Sequence, residues 1–143
     1  MQPTLHLLAT LSCALFAGAA LYINLVEHPA RMSLGTQIAA TGWAPSYARA
    51  TRMQAPLAAT GSLAAIAAWI GGSSVWWLAG GVLLGLVIPF TLVAIMPTNH
   101  RLAAADLDKT SAEARALLDR WNALHGVRTA LSVAALVVFL LAP

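Results

Sequence analysis

The sequence predicts an all-α integral membrane protein: a four-helix bundle, one transmembrane domain over residues 1–143, with a polar, partly helical cytoplasmic face. Three observations carry that prediction. Hydrophobic residues make up 59% of the chain and charged residues only 9%, whereas soluble domains average about 25% charged residues. No Asp, Glu, Lys or Arg occurs between Arg52 and Arg101, which leaves room for two spans of about 20 residues each and a tight turn. The remaining charges fall mostly in the segments that would join the first span to the second and the third to the fourth.

The first span is expected over about residues 5–26. No Lys or Arg precedes it, and its apolar run from Leu7 to Val26 is longer than the core of a signal peptide, so we expect it to be retained. Cys13, the one cysteine, cannot form an internal disulfide and reads as a packed apolar residue. Pro29 disfavours helix at the residue before it, so the span should end or kink near Glu27 and His28. The next segment mixes Arg31, Arg49 and Arg52 with Trp43 and Tyr47, the composition of a membrane–water interface. Gly42-Trp43-Ala44-Pro45 reads as a turn, after which Ser46 would cap the second helix, spanning about 54–71. Gly71-Gly72-Ser73-Ser74 breaks it and places Trp76 and Trp77 at the opposite interface.

The third span is expected over about 75–96, kinked at Pro89 and ended by Pro97-Thr98-Asn99. A short polar connection follows from His100 to Lys109. Thr110-Ser111-Ala112-Glu113 fits a capping box, with Thr110 and Glu113 each satisfying one free donor. The helix then runs to about Leu141, with its span over about 122–142. At 1.5 Å per residue it is about 45 Å long, more than the roughly 30 Å hydrocarbon core, so its first turns stand outside. All eight Lys and Arg lie in the two long loops or the adjoining helix ends. The positive-inside rule then places those loops in the cytoplasm and both termini outside, in an inner (cytoplasmic) membrane. The net charge of +3 needs no nucleic acid to explain it, because no basic patch accompanies it.

Four polar groups converge at that face. Asn24, Glu27, His28 and Arg31 are spaced for one helical stripe if the helix continues past Val26. Their carboxylate and imidazole suit proton exchange or a metal; equally, they suit a charged cap that ends a span. Trp121, His125 and Arg128 share a stripe, and only fifteen residues follow Arg128. Those rise about 22 Å, so Arg128 sits at or inside the membrane boundary, where ionisable residues usually face the bundle and find a partner. The plainer alternative is an arginine that snorkels to phosphates. Thr91 with Pro97-Thr98-Asn99-His100 forms a third group, with Asn99 able to donate and accept or simply to cap a broken helix. Tyr47, Thr51 and Gln54 form the fourth, which also suits interhelical hydrogen bonding. No nucleotide loop, CxxC, HExxH or nucleophile motif occurs.

Across nearly the whole chain a set of motifs occurs in order: Ala19-Ala20-Leu21-Tyr22-Ile23-Asn24, Glu27-His28-Pro29-Ala30-Arg31, Trp43-Ala44-Pro45-Ser46-Tyr47 and Met53-Gln54-Ala55-Pro56-Leu57. Pro89-Phe90-Thr91, Pro97-Thr98-Asn99 and Trp121-Asn122-Ala123-Leu124-His125-Gly126-Val127-Arg128 follow. This set resembles a bacterial branch of a membrane family of unknown function that includes the anthrone oxygenases. The resemblance implies oxygen insertion into an activated tricyclic phenol without a known organic cofactor. Asn99, Trp121, His125 and Arg128 match the family pattern near its end, and Glu27 and Arg31 match the bacterial branch. That branch accepts Gln at the position of His28, and His100 lies outside the shared motif.

Three functions follow as expectations. The first is an oxygenase for a lipid-soluble aromatic or quinone-like molecule, with His125 or Glu27 as base and Arg128 and Asn99 stabilising the oxyanion. Asn24, Trp43, Tyr47, Gln54 and Trp121 would bind the substrate. The second is a transition-metal site on Glu27, His28 and His125. The third is a non-enzymatic small-molecule binder or membrane scaffold. The expected partners are the lipid bilayer, a small hydrophobic molecule and further copies of the chain.

Overall fold

A computed structural model describes all residues 1–143. It contains four helices long and apolar enough to cross a membrane: α1 (Gln2–Ser33), α2 (Thr36–Ile70), α3 (Val75–Leu102) and α4 (Ala112–Leu141). With 28 to 35 residues each, they are about 42–53 Å long. All exceed the roughly 30 Å hydrocarbon core, so the charged half of the bundle projects beyond it. Neighbouring helices pack in the order α1, α2, α3, α4 and back to α1, with α2 and α4 also touching across the diagonal.

Three helices run past their expected ends, and prolines explain why each end was misplaced. α1 does not stop at Glu27. Residues Ile23–Glu27 form a π turn in which the His28 N–H bonds to the Ile23 carbonyl. The wider turn shifts the ladder, so Pro29 neither needs a donor nor drives its ring into an α-helical carbonyl. α3 repeats the device: Thr91–Ile95 form a π turn, the Met96 N–H bonds to the Thr91 carbonyl, and Pro97 follows without ending the helix. The expected turn at Gly42-Trp43-Ala44-Pro45 is helix, with Pro45 and Pro56 both inside α2. A proline inside a helix costs about 3 kcal/mol. Burying an aromatic side chain of about 150–250 Å² at about 25 cal/mol per Å² stabilises by about 4–6 kcal/mol, and continuing the helix buries Trp43 almost completely.

The helix connections turn at Gly35 and Gly72, which adopt φ of 98° and 99°, values strained for any residue with a Cβ. The α4 cap also differs from expectation. Ser111, not Thr110, is the N-cap and accepts from the Ala114 N–H. Thr110 bonds Asp108 instead, and Glu113 joins Asp106 in gripping Arg101.

Two apolar cores fill the bundle. One, in the half with few charges, packs Phe16, Leu84, Val87, Trp77 and Phe139 among alanines. Small residues let backbones approach there, as membrane interfaces favour: Gly61 faces Leu84 and Ser12, and Ser62 Oγ donates to the Gly81 carbonyl at 2.7 Å. Its outer end is stapled by His6, which stacks on Trp77 at 3.8 Å and hydrogen-bonds Ser73 at 2.8 Å. The second core, in the charged half, gathers Trp43, Ile95, Leu118 and Trp121.

Candidate functional site

Polar side chains concentrate between the two cores. α1 contributes them through its π turn, α2 through Tyr47, Thr51 and Gln54, and α4 through Trp121, His125 and Arg128 at successive helical turns.

Asn24 organises the α1–α4 contact. Its Nδ2 donates to the Asn122 carbonyl at 3.0 Å and to Asn122 Oδ1 at 2.8 Å. Two oxygens around Nδ2 fix which way the amide points, because only the NH2 end can face them. Its Oδ1 then faces Thr129 Oγ1 at 2.5 Å and His125 Nδ1 at 2.9 Å. A carbonyl oxygen accepts only, so Nδ1 of His125 carries the proton. In the neutral ring Nε2 is therefore the free lone pair, able to take a proton. Trp121 stacks on His125 with centroids 4.9 Å apart, which holds the ring in place.

His125 lines a cavity with Glu27, Arg31, Trp43, Tyr47 and Arg128, among others. Arg128 donates through Nη2 to Gln54 Oε1 at 2.9 Å and lies over the Phe16 ring, 5.4 Å from its centroid. It has no carboxylate partner, whereas Arg31 pairs with Glu27 at 3.5 Å. Several buried polar atoms of the cavity's own residues have no hydrogen-bond partner: Arg31 Nε and Nη1, Trp43 Nε1, Gln54 Nε2, Trp121 Nε1 and Arg128 Nε. Every one is a donor. Each unsatisfied buried donor costs about 1–3 kcal/mol, and together they make a wall suited to an acceptor-rich or anionic group.

Of the residues singled out from sequence, Glu27, Trp43, Tyr47, Gln54, Trp121, His125 and Arg128 line this one cavity. Asn24 stands behind His125 rather than on the wall. Asn99 is buried with both amide atoms unpaired but lies outside the cavity lining. His28 is buried against Trp121, 5.8 Å between centroids. Glu27, His28 and His125 do not gather as a metal-holding group; no three His, Cys, Asp or Glu side chains do. Thr129 and Asn122 were missed, although they lie one turn to either side of His125 on the same face.

A family model described as anthrone oxygenase matches residues 43–138. No curated protein and no solved structure matches the chain.

Proposed function

The chain belongs to the anthrone oxygenase family, and we propose that it oxidises a lipid-soluble, anthrone-like hydroxyaromatic whose reactive edge reaches the donor-walled cavity between its two cores, which at about 20 Å³ admits only a water-sized group. The observation that carries this reading is the Asn24 amide, which fixes the His125 proton on Nδ1 and leaves Nε2 as a base beside unpaired donors.

In such a substrate a CH2 group lies between two aromatic rings and opposite a ketone. Nε2 of His125 removes one of its protons, and the resulting charge spreads to the ketone oxygen. Arg128 and the indole N–H groups of Trp43 and Trp121 are placed to stabilise that oxyanion, donors waiting where charge develops. Dioxygen adds at the carbanion carbon and takes up a proton to give a hydroperoxide. Loss of the second C–H proton breaks the O–O bond, leaving a new ketone and releasing water. One O2 is consumed, the CH2 becomes C=O, and no organic cofactor is required. Glu27, engaged by Arg31, is the less available base.

The bilayer and a small hydrophobic molecule are the proposed partners. The position of every Lys and Arg in the charged half supports cytoplasmic long loops and outward termini in an inner membrane; a C-terminal reporter active only in the cytoplasm would overturn that orientation. The reaction is tested with purified protein in nanodiscs, a hydroxylated anthrone and an oxygen electrode. His125→Gln should abolish oxygen uptake and quinone formation while the protein stays folded. Undiminished turnover in this variant removes His125 from the chemistry.

A further inference from the structure

A second cavity, of about 150 Å³, lies beside the first and shares Tyr47, Thr51 and Arg128 with it. Its character is different. Phe16, Ala58, Val87, Ile88, Leu92 and Met96 make its wall mostly apolar. Its inner wall is the membrane-half core, since Phe16, Ala58 and Val87 are fully buried. Its outer rim, between α2 and α3, is formed by Thr51, Ala55, Ile88 and Leu92, all exposed. Ala55, Ile88 and Leu92 lie within the apolar spans of α2 and α3, and exposed Arg52 beside Thr51 marks the boundary, so the rim opens at the charged-side edge of the hydrocarbon core. Arg128, lying over the Phe16 ring, stands where the apolar cavity meets the donor wall.

We propose that this chamber is the ring-binding subsite of the ligand, and that its mouth between α2 and α3 admits a planar fused-ring hydroxyaromatic directly from the bilayer. This rests on the functional reading above and deepens it. A dry cavity of this size accepts one benzene-sized ring. A fused-ring ligand therefore enters through the groove between Ala55 and Leu92 and seats a terminal ring in the chamber, with the edge of its central ring turned past Arg128 toward His125. Its oxygenated edge then meets Arg128 and Tyr47, which line both cavities, while the apolar body never crosses water. The arrangement favours a ligand with oxygens along one edge, because oxygens on the far rings would sit against Ile88 and Leu92.

Ala55→Trp and Leu92→Trp each place an indole at the mouth from opposite helices, and Leu63→Trp places one on an exposed part of α2 away from it. Binding of a hydroxyanthraquinone to nanodisc-embedded protein is measured by equilibrium titration alongside oxygen uptake. We expect affinity to fall about tenfold in both mouth variants and to match the parent protein in Leu63→Trp. Parent-like affinity in both mouth variants, or no binding by the parent protein, overturns the subsite. Binding by the parent that both mouth variants weaken, without any oxygen uptake, supports the subsite and sinks the oxygenase reading instead.

Discussion

Asn24→Ala separates the chemistry of the site from its architecture. The substitution deletes one amide that donates twice to Asn122 and accepts from His125 and Thr129. Thr129 can turn its hydroxyl to the His125 carbonyl, 3.2 Å away. The His125 Nδ1–H has no such alternative and becomes a buried orphan, costing about 1–3 kcal/mol. Adding the lost donation to Asn122, about 0.5–1.5 kcal/mol, gives a destabilisation of about 2–4 kcal/mol. The tautomer preference also loses the hydrogen bond that enforced it. At about 0.5–1.5 kcal/mol, and about 1.4 kcal/mol per factor of ten, the ratio of rings with Nε2 free to rings with Nε2 protonated falls about two- to thirteenfold. Oxygen uptake with a hydroxylated anthrone should therefore show kcat down severalfold, by about tenfold at most. KM should hold, because Asn24 does not line the cavity. Asn24→Asp keeps an acceptor for Nδ1–H but turns a carboxylate on the Asn122 oxygens, so it should lose more in thermal stability than in kcat. An Asn24→Ala protein that is less stable yet turns over at the parent kcat would make Asn24 purely structural and refute the tautomer argument.

Three further outcomes are expected. Arg128→Lys gives up the guanidinium over the Phe16 ring and its bond to Gln54, and should lower kcat/KM about 100-fold, the scale of a lost oxyanion donor, with the melting temperature as the folding control. Gly80→Ala drives a methyl group into the Phe139 ring, which is already stacked on Trp77; overpacking of this kind costs about 1–3 kcal/mol, read as a lower melting temperature. Arg101→Ala releases Asp106 and Glu113. In the parent protein, the hydrogen bond from Arg101 first of all holds the Asp106 carboxyl below the ordinary aspartate range. A depressed carboxyl contributes stability that is complete above its unfolded pKa and is lost as pH falls through the folded one. The melting-temperature gap between parent and Arg101→Ala should thus be small but full at neutral pH, and should close as pH falls below the ordinary aspartate range.

The helix count and the polar residues of α4 were legible because both rest on strong signals: the charge-free stretch from Arg52 to Arg101, and an arginine set at the head of the apolar run of the last helix. The helix ends were not legible, because proline was read by its local cost alone. Trp43 shows the missing half of that comparison: its burial between Tyr47 and Trp121 outweighs what Pro45 costs the helix. The cavity membership of Glu27, Gln54, His125 and Arg128 followed from helical spacing. The separate places of Asn24, His28 and Asn99 did not, since helical spacing gives the face a residue shares and not which neighbour takes its hydrogen bond or packing contact.

The two π turns place the chemistry more narrowly than the helices do. Ile23–Glu27 and Thr91–Ile95 each end two residues before a proline, Pro29 and Pro97, so one local solution serves both α1 and α3. What the turns carry differs. The first holds Asn24 and Glu27, which brace His125 and line the donor-walled cavity. The second holds Thr91 and Leu92, which line the apolar chamber, and the Thr91 hydroxyl is spent on the Val87 carbonyl at 2.6 Å. In the proposed reaction, proton transfer would fall to the α1–α4 side and ring binding to the α2–α3 side, with Arg128 touching both cavities. A change confined to the α3 turn should act on affinity and leave the His125 tautomer untouched, whereas one in the α1 turn should act on kcat.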